Sequence, residues 1–173
     1  MSYHELLPNQ QLSRFINKVW FLSCPSMHKQ EKILPLPTHH FIINLSNDPY
    51  RVVQQGLKPK SWTFQSGFVS GIQHEYLVIE NPTQILHIGV ELTPEGLSAF
   101  TDNPSSKYIG TVQSSETLLI GSELILTELK QINDPLQQMK RLLAYMSTQL
   151  RADYAPPEYI TTSRKLLETV SSV

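Results

Sequence analysis

Gln84-Ile85-Leu86-His87-Ile88-Gly89-Val90-Glu91-Leu92-Thr93-Pro94-Glu95-Gly96 is the stretch whose reading decides the fold. Leu86, Ile88, Val90 and Leu92 alternate with Ile85, His87, Gly89 and Glu91, a period of two that marks a strand with two distinct faces. At Thr93 the period changes. Thr93 is a good N-cap residue, Pro94 suits the first helical position, and Glu95 suits the positive end of a helix dipole. A short helix carrying Leu97 and Phe100 is therefore expected, stopped by Asn103-Pro104. Upstream, Trp62-Thr63-Phe64-Gln65, the glycine-bracketed run Gly67 to Gly71, and Tyr76-Leu77-Val78-Ile79 read as three further strands, with a turn at Asn81-Pro82-Thr83. Isolated strands bury nothing, so the rest of the chain must pack around this segment.

Working outward to the N-terminus, residues 1–11 read as polar, with a turn at Pro8-Asn9. Leu12, Phe15 and Ile16 begin an apolar pattern that runs into a strand, Val19-Trp20-Phe21-Leu22, broken at Cys24-Pro25-Ser26. Lys32-Ile33-Leu34 is a short strand closed by Pro35 and Pro37, which cannot donate to a central ladder. His39 to Leu45 places His39, Phe41, Ile43 and Leu45 on one face and His40, Ile42 and Asn44 on the other. Tyr50-Arg51-Val52-Val53 follows a turn at Ser46 to Pro49. Some eight short strands before residue 93 suggest a sandwich or barrel rather than βαβ units.

Toward the C-terminus the period becomes helical. Ser122 is expected to cap a helix whose stripe is Ile125, Leu126, Leu129 and Ile132. Asp134 and Pro135 read as N-cap and first residue of the next helix, about two residues on, so the pair forms an α-helical hairpin. Ala155-Pro156-Pro157 reads as a linker, and Glu158 to Val170 as the start of another helix. The expected class is α+β: a small cupin-like β-barrel or sandwich followed by a helical hairpin. Residues 1–155 are expected to form one β-rich domain with a C-terminal helical hairpin, and residues 156–173 the linker and first helix of a further one.

The 173 residues include 14 basic and 15 acidic side chains. Residues 1–80 carry a net +2, residues 81–155 a net −3, and residues 156–173 none, so no segment has the concentrated positive charge that phosphate binding demands. Cys24 is the only cysteine, which excludes an internal disulfide and a thiolate metal cluster. No signal peptide is legible and no apolar run approaches the length of a membrane span, so a cytoplasmic protein is expected.

No His-x-His pairs two imidazoles on one strand face, so no metal and no cofactor are expected. No serine sits in a nucleophile-elbow pattern, and no phosphate-binding glycine loop appears, so no enzymatic activity is expected. The aromatic content instead suggests an apolar pocket between sheet layers. Phe41, Ile43, Trp62, Phe68 and Leu86 are the expected walls, and His87 and Glu91, four apart on one face, the polar anchors.

Three places also carry a family likeness. They are Leu12 through Trp20; Ile33-Leu34-Pro35 followed by Phe41-Ile42-Ile43-Asn44-Leu45; and Gly89-Val90-Glu91-Leu92-Thr93-Pro94-Glu95-Gly96. With Gly71 and Gly121 they make the chain resemble, over nearly its whole length, the N-terminal sensor domain of AraC-type transcription regulators. It departs from the family pattern at Leu36-Pro37, where Asp-Gly is usual, and at His40, an acidic position in the family. The resemblance implies a domain that senses an unknown small molecule and forms a homodimer. It also implies that DNA is bound only through a domain beyond this one, of which Glu158 to Val173 would be the opening. Paired half-sites favour a two-fold protein. The stripe Leu136, Met139, Leu143 and Met146, with Leu142 and Leu150, is the expected dimer surface. A stand-alone cupin-like enzyme or small-molecule binding protein is the alternative.

Overall fold

The computed structural model describes residues 1–54, 59–119, 121–151 and 154. The linker and last helix expected beyond residue 154 lie outside the described residues. The strands are β1 (Ser2–Leu6), β2 (Ile16–Pro25), β3 (Gln30–Ile33), β4 (His39–Asn44), β5 (Tyr50–Gln54), β6 (Lys60–Phe64), β7 (Gly67–Ser70), β8 (Leu77–Glu80), β9 (Gln84–Leu92) and β10 (Val112–Ser114). The helices are α1 (Gly96–Phe100), α2 (Ser122–Gln131) and α3 (Pro135–Gln149). Single 3-10 turns occupy Ser105–Tyr108 and Ser115–Thr117.

Two antiparallel sheets result. One runs β1-β2-β9-β4-β7-β10 and the other β3-β8-β5-β6. β9 spans the residues expected from its alternation and lies in the middle of the larger sheet, between β2 and β4. Its two faces bury different things. Val19, Phe21, Phe41, Ile43, Val69, Ile88, Val90 and Leu92 face outward onto a layer built from Leu12, Ile16, Leu97, Phe100, Tyr108, Leu119 and the apolar stripes of α2 and α3. On the opposite face Ile42, Phe68, Val112 and Trp20 pack on Tyr50, Val52, Trp62, Phe64, Leu77 and Ile79 of the smaller sheet. The larger sheet is thus the middle of three layers, apolar on both faces, which is why its strands carry so few charged residues.

Several local expectations need correction. β1 lies in residues read as merely polar. An edge strand needs apolar side chains on neither face when both stay wet, so composition hides it. β10, three residues long, falls outside any run that periodicity could detect. Thr93 does not cap α1; the N-cap position is Glu95, with no side-chain bond. The Thr93 hydroxyl instead donates to Arg14 O at 2.9 Å and its amide to Phe15 O at 3.0 Å, tying the turn before β2 to the end of β9. Ser122 does not cap α2 either. Gly121 does, at φ +75°, a left-handed conformation that suits glycine, and Ser122 is buried just inside. Asp134 caps α3 as expected, its carboxylate accepting from Leu136 N at 2.9 Å behind Pro135. From α3, Gln138 Nε2 donates to Leu129 O and Ile132 O at 2.9 and 2.8 Å, adding a second partner to Leu129 O, which also accepts from Ile132 N, and tying α3 to the end of α2.

The surface expected to dimerise is also corrected. Met139 and Met146 are fully buried and Leu143 nearly so, all within this chain's own core; only Leu136 stays out, at 39% exposure. A helix lying over a sheet needs a broad stripe to cover it. Leu142 and Leu143 widen the stripe for that purpose rather than for a second copy.

Candidate functional site

The expected pocket residues divide between two faces of one sheet. Phe41 and Ile43 are buried on the helical side, and Leu86 packs against the same cluster. Phe68 and Trp62 belong to the inter-sheet cluster, and His87 and Glu91 share that side of β9. Phe41, Ile43 and Leu86 therefore cannot line a pocket with His87 and Glu91: the sheet itself lies between them. Phe68 and Trp62 lie between the sheets, His87 reaches Tyr50 there, and Glu91 lies on the same side of β9, facing Asn17 and Lys18.

Two polar features sit there. The first joins the sheets. Tyr50 Oη of β5 and His87 Nδ1 of β9 are hydrogen-bonded at 2.9 Å, and the Tyr50 ring meets the edges of His87 and Phe68 at centroid distances of 6.0 and 6.1 Å. Burial pushes the His87 pKa down to about 4 and the Tyr50 pKa up, so both groups are neutral at pH 7. A neutral imidazole bonded through Nδ1 keeps Nε2 available, and among the described residues Nε2 has no partner.

The second feature is a corner built on Gly89. The strand register aligns Trp20, Gly89, Ile42 and Phe68 in one row, and Lys18, Glu91, His40 and Ser70 in the next. A Cβ on Gly89 would fall 2.0 Å from Trp20 Cζ2, so only glycine lets the indole lie down on the sheet. Lying there, the ring meets His40 edge-on at 6.0 Å. Burial lowers the His40 pKa, with Glu91 pulling it the other way. Glu91 accepts from Asn17 Nδ2 at 3.0 Å, while Lys18 Nζ lies 4.0 Å from Glu91 and 3.6 Å from Glu5. The corner thus offers a flat apolar plane, a neutral imidazole that can donate and accept, one ammonium and two carboxylates. That set suits a small ligand with a planar or apolar body and polar substituents.

Of these groups, the sequence shows Trp20 only as an aromatic in a strand, His40 only as one residue of a strand face, and Tyr50 only as the start of a strand. The signal that could have found the corner was Gly89 itself, a glycine in an otherwise strong strand, which marks close approach of another group.

A groove of about 960 Å³ lies elsewhere, between residues 26–30 and 80–83. Its polar groups are engaged in closing those loops: Ser26 Oγ donates to His28 O, Asn81 N to Lys29 O, and Glu80 accepts from Gln30 and Arg51. Among the described residues no three His, Cys, Asp or Glu side chains gather to hold a metal. Ser70, one strand across from His40, directs its hydroxyl to Gly71 O at 3.3 Å and so does not meet the imidazole as a nucleophile would. No described helix is long and apolar enough to cross a membrane.

Comparison with solved structures finds two vicilins and a 7S globulin. Vicilin of Corylus avellana (hazelnut) matches at 14% identity and TM-score 0.35, over 64% of this chain and 29% of its own. Vicilin of Solanum lycopersicum (tomato) matches at 13% and 0.36, over 64% and 30%, and the 7S globulin of Momordica charantia at 15% and 0.35, over 82% and 41%. This chain thus spans well under half the length of each. No curated protein matches it. The family described as Domain of unknown function (DUF6597) matches residues 4–114, which takes in both sheets, and the chain belongs to that family.

Proposed function

We propose that residues 1–155 are the ligand-sensing and dimerising domain of an AraC-type transcriptional regulator, cytoplasmic and without chemistry of its own. Its effector would bind in the Trp20–His40–Glu91 corner, and DNA would be bound by a separate domain. One observation carries the reading. Two of the three stretches that resemble such sensors meet in space and depend on each other. Gly89 receives the Trp20 ring, and Gly96 abuts Phe15 O, where a Cβ would come within 2.0 Å. Arg14 Nε pairs with the buried Glu95 carboxylate at 3.2 Å, and Thr93 bonds to both Arg14 and Phe15. The likeness therefore concerns residues that pack on one another rather than scattered positions: Trp20, Gly89 and Glu91 form the corner, and Arg14, Phe15, Thr93, Glu95 and Gly96 fasten the adjoining end of β9.

The test compares the gene's full-length product with residues 1–173 on duplex DNA from its own promoter at low salt. The expected result is binding by the full-length product alone. Tryptophan fluorescence of residues 1–173 carrying Trp62→Phe, so that Trp20 alone reports, screened against cell metabolites, should then identify an effector that shifts that binding at least fivefold, on the scale of ordinary allosteric coupling. A full-length product that ignores DNA would overturn the proposal. So would micromolar DNA binding by residues 1–173 with a steep salt dependence.

A further inference from the structure

With Met139, Leu143 and Met146 buried in the core, a two-fold surface has to lie elsewhere, and the outer edge of β1 has the right chemistry. β1 ends the six-stranded sheet, so its outward N–H and C=O groups find no partner within the sheet. We propose that a second copy of this chain pairs there, β1 against β1, joining the two larger sheets into one continuous sheet.

Symmetry restricts the pairing. An axis that makes two copies of one strand antiparallel neighbours stands perpendicular to the sheet, so residues that face each other must come from the same face. With the axis at His4, Tyr3 stands opposite Glu5 of the second copy, Ser2 opposite Leu6, and Met1 opposite Leu7. Tyr3 with Glu5 is a polar pair and Met1 with Leu7 an apolar one, while His4 meets its own copy on the axis and the small Ser2 lies beside Leu6. Tyr3 Oη already donates to Glu5 Oε2 within the chain at 2.8 Å, and Lys18 steadies Glu5 from β2 at 3.6 Å, so the dimer would assemble two phenols and two carboxylates into one network. Met1, Tyr3 and Leu7 are 95%, 51% and 70% exposed in the single chain, an apolar cost that this register removes. Moving the axis to Tyr3 would set Met1 against Glu5, and moving it to Glu5 would set like charges face to face.

The other free edges are less suited. On β3 an axis at Glu31 or Lys32 opposes identical charges, and Pro35 and Pro37 follow. On β6 an axis at Trp62 places Lys60 against Phe64, and β10 is only three residues long.

This inference shares only the dimer with the proposed function. It is read by oligomeric state and is indifferent to DNA and effector, so the two fail separately. Sedimentation at ~100 μM should find the wild type dimeric with a micromolar or tighter dissociation constant. Tyr3→Glu, at an exposed position, opposes two carboxylates at both symmetric pairs and should give a monomer. Adding Glu5→Lys restores opposite charges and should restore the dimer. Because a variant can fail for other reasons, the register is also tested directly. In a Cys24→Ser background, His4→Cys should form a disulfide-linked dimer on mild oxidation, since facing residues on neighbouring strands lie within disulfide reach. Wild type that sediments as a monomer, a Tyr3→Glu variant as dimeric as wild type, or a His4→Cys variant that does not cross-link would each overturn the proposal.

Discussion

His39 should make this protein acid-labile, and its neighbours say by how much. The side chain is 2% exposed, on the helical face of β4, and among the described residues its Nδ1 has no hydrogen-bond partner. Burial, reinforced by His40 beside it, lowers its pKa from 6.5 to about 4. Above pH 6.5 the residue is neutral in both folded and unfolded chains and the shift has no effect. Between pH 6.5 and 4 the unfolded chain takes up a proton that the folded chain refuses, so stability falls as pH falls. The difference of roughly 2.5 units, at about 1.4 kcal/mol each, amounts to about 3 kcal/mol by pH 4. That is a large part of the ~5–15 kcal/mol that usually holds a domain together. His87, lowered to about 4 by burial alone, adds a second contribution of the same sign. Urea unfolding at a series of pH values from 7.5 to 4 measures the loss. His39→Leu removes the titrating group and the unpartnered nitrogen together, and should flatten the curve by about one proton, leaving the variant roughly 3 kcal/mol less acid-sensitive than wild type. Identical pH slopes in the two proteins would refute the assignment of a neutral, desolvated imidazole at this position.

Two further substitutions test the packing. Gly89→Ala puts a methyl into the Trp20 ring, which must lift off the sheet; an expected loss of about 1–3 kcal/mol should come, in a Trp62→Phe background that leaves Trp20 the sole tryptophan, with a changed emission, and an unchanged spectrum would mean that the ring does not rest on Gly89. Met146→Glu places a carboxylate at a fully buried core position and should cost several kcal/mol, read as a collapsed urea midpoint. A stably folded monomer would return that face to the surface and restore α3 as the dimer contact.

Much of the architecture is written in local chemistry. The alternation of β9, the split of β4 into a His39-Phe41-Ile43 face and a His40-Ile42-Asn44 face, and the Asp134-Pro135 start of α3 are one-dimensional patterns, because pleat and helix pitch impose their periods on each segment separately. An exposed edge strand such as β1 leaves no such trace, and β10, three residues long, is too short to show a period. Periodicity also says that two faces differ without saying what covers each. Both faces of the central sheet are apolar, so nothing along the chain tells that Phe41, Ile43 and Leu86 go to the helices while Trp62, Phe68 and His87 go to the second sheet. That choice depends on which strands become neighbours, and facing residues of β2 and β9 are 59 to 76 residues apart in sequence. The same limit separates the apolar stripe of α3, plain in the sequence, from its destination in the core. It also separates Gly89, visible as an oddity in a strand, from the Trp20 ring that makes glycine necessary there.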